Sequence, residues 1–365
     1  MYIIQKQYIR CLVNFDPKNN SIGFLRLTCS LLVIFAHTWN YGGYGQEPLA
    51  RISNNQIGTG RVSVDIFFIL SGFLISMSWC NAQNWRVFLW HRFLRIFPAY
   101  WVCLLATGIA IACIFRGSPD FSYICKSALL LNGVQTTIPG VFEGNPGGNV
   151  VNSSLWTLPW EIKAYIILFI LAFVGLLKKH RHFLVLLFLG IWTCFVVEIY
   201  SYPGLTTSPA ITSGYRLLSF FFAGMLFFAY REKIILNWML MIISIASMVI
   251  SVVAGKIWLH YSGGLFYTIA PIPLAYSVFF LADSLPFKNI NNQSDISYGL
   301  YIYGTLVINV IASFGLSVNY VTFLIIILGI SIPVSYLSWI IIERPSLKLK
   351  KWKLHLKDSS TKLSL

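Results

Sequence analysis

The chain has 365 residues, 57% of them hydrophobic and 11% charged, with a mean hydropathy of +0.70. Soluble domains carry about 25% charged residues, so this composition excludes one and describes a polytopic membrane protein. A formal net charge of +15 would point to nucleic acid in a soluble protein. Here it first reports which side of a bilayer the cations occupy, and no nucleic-acid partner is expected.

Residues 1–21 are polar and lack a small-residue cleavage site behind an apolar core. No cleaved signal peptide is expected, and the first helix is retained. That helix, 22–41 (IGFLRLTCSLLVIFAHTWNY), carries Arg26 near its start and His37 near its end. Eleven residues at ~100° each come to about 20° beyond three turns, which puts both side chains on one helix face about 16 Å apart along the axis. Two ionisable groups on one face of a membrane helix are a functional hypothesis by default. His37 is the histidine placed inside an apolar span, and an imidazole with its ordinary pKa near ~6.5 suits general-base work.

The second run, 62–80, opens with RVSVDIFFILSGFLIS and places Asp65 among Phe, Ile and Leu. A buried carboxylate is costly unless paired. Asp65 could orient His37, pair with Arg61 or be satisfied by backbone amides at the helix start, while Ser71 and Gly72 allow close helix packing. The connection 81–96 leads into a third run, 97–115, through WRVFLWHRFLRIFPAYW. Arg92 and Arg95 share a helix face there, and arginine forks suit phosphates. A long loop, 116–155, is rich in Gly, Asn and Pro. Glu161 and Lys163 then enter the fourth run, 156–177, on the side of the long loop, where a carboxylate favours the helix N-terminus.

Further runs lie at 182–200, 213–230, 234–254, 261–282, 296–315 and 320–342. The fold expected is all-α, with about ten transmembrane helices. Of the 27 Lys and Arg residues, 19 fall in the two termini and the connections on their side, including Lys178, Lys179 and the tail. Six fall in the alternate connections, Arg216 among them, and Arg26 and Lys163 lie within helices. The bias puts both termini in the cytoplasm. Residues 1–345 form one transmembrane domain and 346–365 a short basic tail. The seven cysteines are scattered without a C-x-x-C pair, so neither a disulfide nor a structural metal is expected.

Taken in order, Arg26 with His37, VDIFFILSGFLIS (64–76), HRFLRIFPAYW (91–101), SLWTLPWEI (154–162), ISYGLYIYG (296–304) and ERP (343–345) resemble the acyltransferase family 3 membrane proteins. These are bacterial enzymes that O-acylate cell-surface carbohydrates. The resemblance implies an inner-membrane enzyme that transfers an acyl group, commonly acetyl from acetyl-CoA, to a hydroxyl of a surface polysaccharide or lipid-linked sugar such as O-antigen, capsule or exopolysaccharide. By this likeness His37 is the catalytic histidine, Arg26 its partner, and Arg92 and Arg95 bind the donor. Asp65 or Glu161 could stabilise the imidazolium. Tyr303-Gly304 stand where many members carry a second histidine. A transporter or flippase of a lipid-linked saccharide is the alternative reading, and the oligomeric state stays open.

Overall fold

The computed structural model describes residues 10–16, 19–82, 84–115, 121–130, 133–177, 180–201, 214–259 and 264–351. Lys18, Lys178, Lys179 and residues 352–365 of the basic tail lie outside them. Among the described residues, ten helices of 14 or more residues carry the fold: α1 (Ile22–Tyr41), α2 (Thr59–Asn81), α3 (Trp85–Phe115), α4 (Leu158–Phe173), α5 (Arg181–Ser201), α6 (Gly214–Ala229), α7 (Trp238–Ala254), α8 (Pro271–Ser284), α9 (Ser297–Ala312) and α10 (Tyr320–Ser338). Arg10–Cys11 and Ile235–Leu236 add a two-residue antiparallel pairing.

Among the described residues, seven helical segments are long and apolar enough to cross a membrane. The other apolar runs form α6, α8 and α9, of 16, 14 and 16 residues. At 1.5 Å per residue these are about 21–24 Å long, short of a hydrocarbon core of about 30 Å. Two of the three occupy the interior. In α6 (GYRLLSFFFAGMLFFA) 15 of 16 residues are buried, as a helix apolar on every side requires. α5 and α7 bury three residues each and turn much of the rest of their Leu, Ile and Val outward.

α2 packs closely on α6, and glycines make the approach possible. A Cβ on Gly72 would meet the Phe221 carbonyl oxygen, and one on Gly224 the Ile69 carbonyl oxygen. Two backbones this close leave room for hydrogen alone, the small-residue packing of membrane helices. The same interface holds Asp65, fully buried, 3.2 Å from the Arg216 guanidinium. Arg216 is therefore the direct ion-pair partner of Asp65; Arg61, one turn earlier on α2, donates to Asn55 and acts on Asp65 through its charge alone, and His37 sits in a cavity that Asp65 does not line. Arg216, assigned by charge counting to an outer connection, is inside α6 with 1% exposure.

Two further expectations change. The stretch 81–96 is largely helix: α3 runs for 31 residues with Pro98 inside it, so Arg92 and Arg95 belong to a helix of about 46 Å. The long loop also does not stay at one end of the bundle. Its last part descends along α9, with Asn145 donating to the Asn309 carbonyl (2.8 Å), Asn152 to the Ile302 carbonyl (2.7 Å), and Ser154 bonded to Thr305 (2.7 Å). Irregular backbone at such depth persists only where protein groups satisfy it. α4 therefore starts beside Tyr301, one turn into α9.

The α2–α6 ion pair yields a stability prediction. Asp65→Asn removes the carboxylate beside a buried guanidinium and should cost about 3–5 kcal/mol, whereas Asp65→Leu with Arg216→Met should recover most of it. Thermal unfolding of the three detergent-solubilised proteins checks this. Equal midpoints for wild type and Asp65→Asn would contradict it.

Candidate active site

Two cavities lie along α1. The larger, about 360 Å³, is walled by α2 side chains including Phe67, Phe68 and Leu74 and carries Arg26, Arg92, Arg95 and Lys350 together with Glu161 and Asp295. Four cations against two carboxylates leave a formal excess of +2, a lining suited to a phosphorylated anion. The smaller, about 140 Å³, holds His37 with Glu47, Arg61, Arg216 and Trp156.

Asp295 organises the larger cavity. Its Oδ2 accepts from Arg26 Nη1 and, at 2.5 Å, from Arg95 Nη2. Oδ1 accepts from Ser297 and, at 3.0 Å, from Asn291. Burial alone would raise this carboxyl, but the two guanidiniums hold it well below the usual carboxylate range. Arg26 and Arg95 are thereby neutralised in part and fixed in place. Arg92 is held differently: its Nη2 donates to Ser78 at 3.3 Å, its guanidinium lies 5.9 Å from the Phe88 ring centre, and its buried Nε has no hydrogen-bond partner among the described residues.

Lys350 arrives from the chain beyond α10. Trp90 Nε1 donates to the Leu349 carbonyl at 3.4 Å, and the His91 ring lies at the same distance from the Lys350 carbonyl, tying this segment to α3. Burial and then the nearby Arg92 and Arg95 charges push the Lys350 ammonium down to about 8. Glu161 accepts a short hydrogen bond from Tyr165 and lines this cavity with the arginines. The descent of the preceding loop brings it there, away from the His37 cavity where it was expected to support the imidazole.

His37 extends into the smaller cavity one turn after Val33, and its Nδ1 is buried without a hydrogen-bond partner among the described residues. The carboxylate lining that cavity with it is Glu47, which accepts from Thr59. Burial raises the Glu47 carboxyl, with Thr59 and Arg61 opposing. Arg216 also lines the cavity, its guanidinium 5.2 Å from the Tyr267 ring centre, so Asp65 reaches this site through Arg216. Arg26 and His37, expected on one face of one helix, thus serve two different cavities. Among the described residues no cluster of three or more His, Cys, Asp or Glu side chains could hold a metal ion.

Asp295, Lys350, Glu47 and Arg216 were missed as site residues. Asp295 carried a usable signal, an acid immediately ahead of an apolar run; Lys350 was one of many tail cations, and nothing local marked Glu47 or Arg216.

A family model described as an acyltransferase domain matches residues 19–340. Nodulation protein 10 of Rhizobium leguminosarum bv. viciae is 28% identical over 356 residues, covering 91% of this chain and 94% of the relative. An O-acetyl transferase of Shigella phage Sf6 is 28% identical over 359 residues, covering 95% and 99%. No solved structure matches. With the domain matched over most of its length and seven helices of membrane-spanning length, the chain belongs to the acyltransferase family 3 and is a membrane-bound acyltransferase.

Proposed function

We propose that the protein transfers an acyl group, acetyl in the simplest case, from acetyl-CoA to a hydroxyl of a surface polysaccharide or lipid-linked sugar. The observation that carries this reading is the pair of cavities on one helix, one with excess positive charge and one with a histidine. The phage relative named as an O-acetyl transferase supports acetyl as the group. The charge bias of the connections supports both termini, and with them the Arg26 end of α1, facing the cytosol of a bacterial inner membrane. Acetyl-CoA is available on that side, and the acceptor would approach the His37 side from the opposite face.

In this reading Arg92 and Lys350 bind donor phosphates, Arg95 and Arg26 are set in position by Asp295, and the apolar wall of α2 takes the thioester arm. An acceptor hydroxyl is a poor nucleophile until its proton is removed as attack proceeds. The His37 ring removes it. The hydroxyl oxygen bonds to the thioester carbon, the carbon–sulfur bond breaks, and the imidazolium returns the proton to the leaving thiolate. Glu47 and the Asp65–Arg216 pair set the field around that imidazole. Lipids complete the outer surface of the bundle.

Two outcomes are expected. His37→Ala should lower O-acetylation of surface glycan by about 10²-fold or more while the protein remains folded and inserted; near-normal acetyl content by mass spectrometry would contradict the role of His37. On the donor side, Arg92→Ala should raise KM for acetyl-CoA about tenfold or more, the value of a charge-assisted hydrogen bond. Lys350 is charged below about 8 and loses its proton above it, so wild-type KM should rise between about pH 7 and 9. Lys350→Met should flatten that rise. A pH-independent wild-type KM would remove Lys350 from the donor site.

A further inference from the structure

Among the described residues, two line both cavities: Val64 of α2 and Tyr301 of α9. They form the wall between the arginine-lined space and the His37 space. If the thioester enters on one side and the hydroxyl on the other, as the proposed reaction requires, the carbon that changes partners lies at this wall. Val64 offers no polar atom. Tyr301 offers a phenolic hydroxyl, on a ring held edge-on by Phe67 with centroids 5.7 Å apart.

The hydrogen bonds separate Tyr301 from the other tyrosines of the larger cavity. Tyr165 donates to the Glu161 carboxylate, and Tyr298 donates to the Ile96 backbone carbonyl at 3.0 Å; both partners can only accept while Glu161 is ionised. The Tyr301 hydroxyl pairs with another hydroxyl, Thr157 Oγ1, at 2.6 Å. Thr157 also lies 3.5 Å from the Ser154 carbonyl, to which it can donate. Tyr301 can therefore turn its proton to an incoming oxygen while Thr157 keeps a partner. Replacing one hydrogen bond by another carries little cost, which is what a donor that must be free at the moment of reaction needs.

We infer that Tyr301 is a catalytic hydrogen-bond donor to the thioester carbonyl oxygen, stabilising the oxyanion formed when the acceptor attacks. This rests on the acetyl-transfer reading above. In the step, the acceptor proton passes to His37 and the new carbon–oxygen bond pushes the carbonyl electron pair onto oxygen. That oxygen accepts from the Tyr301 hydroxyl without taking its proton. The pair then returns, the carbon–sulfur bond breaks, and the thiolate takes the proton from the His37 imidazolium, leaving an acetyl ester and coenzyme A.

Tyr301→Phe tests this, since it keeps the ring, the wall and the Phe67 contact and removes only the hydroxyl. Full-length wild type and variant are compared in membranes of the producing cell, following radiolabel from acetyl-CoA into the glycan fraction as the acetyl-CoA concentration is varied. The expected result is a fall in apparent kcat of about 10²–10³-fold, with KM for acetyl-CoA within about threefold and an unchanged unfolding midpoint in detergent. An unchanged kcat would overturn the inference. So would a loss accompanied by weakened donor affinity or a lowered midpoint, because that pattern belongs to a structural tyrosine. Wild-type membranes that incorporate no label would overturn the acetyl-transfer reading itself and this inference with it; active wild type beside fully active Tyr301→Phe would overturn only the role of Tyr301.

Discussion

The site depends on one carboxylate. Asp295 stands at the entrance to α9 and receives guanidiniums from two other helices, Arg26 of α1 and Arg95 of α3. A single such pair removed from water gains little over its desolvation cost. Two cations and two neutral donors around one carboxylate change that balance, because both oxygens accept hydrogen bonds and the two guanidiniums share the one negative charge. The arrangement joins three elements distant in sequence and leaves their side chains at fixed places on a cavity wall. Arg92 and Lys350, neither of which forms an ion pair among the described residues, then add further positive charge to that wall.

The second constraint is the descent of the long loop along α9. Hydrogen bonds to Asn309, Ile302, Thr305 and Tyr301 anchor it step by step, so α4 can begin inside the bundle. This separates the two carboxylates that a sequence reading assigns together to the histidine. Glu161 goes to the arginines, and Asp65 goes into the α2–α6 interface, where reciprocal glycines and Arg216 fix it. Val64 and Tyr301 remain between the two spaces, a thin division suited to a reaction whose partners arrive from opposite sides.

Much of the helical architecture was legible because apolar runs near 20 residues have few alternatives in a chain of this composition. Arg26 could be singled out because a cation inside an apolar run is costly, and Arg92 and Arg95 because they share a helix face and arginine forks suit phosphates. What escaped was set by pairing across the bundle. Nothing near Asp65 in sequence points to Arg216, 151 residues away, and charge counting misread Arg216 because it sits near a helix start. The depth of Glu161 depends on a loop whose Asn and Ser side chains find carbonyls on α9, and no local period encodes that. Lys350 was hidden by number: it is one of six cations in the tail, and its fold-back onto α3 is what distinguishes it.

In the proposed reaction donor and acceptor reach the wall at Tyr301 from opposite faces of the membrane. Sealed vesicles of opposite orientation, made from cells producing the protein, test it most directly when radiolabelled acetyl-CoA is supplied only outside. Label is expected in glycan from inverted vesicles, whose cytoplasmic face is outward, and none above background from right-side-out vesicles. Equal labelling in the two preparations, or labelling confined to right-side-out vesicles, would contradict it.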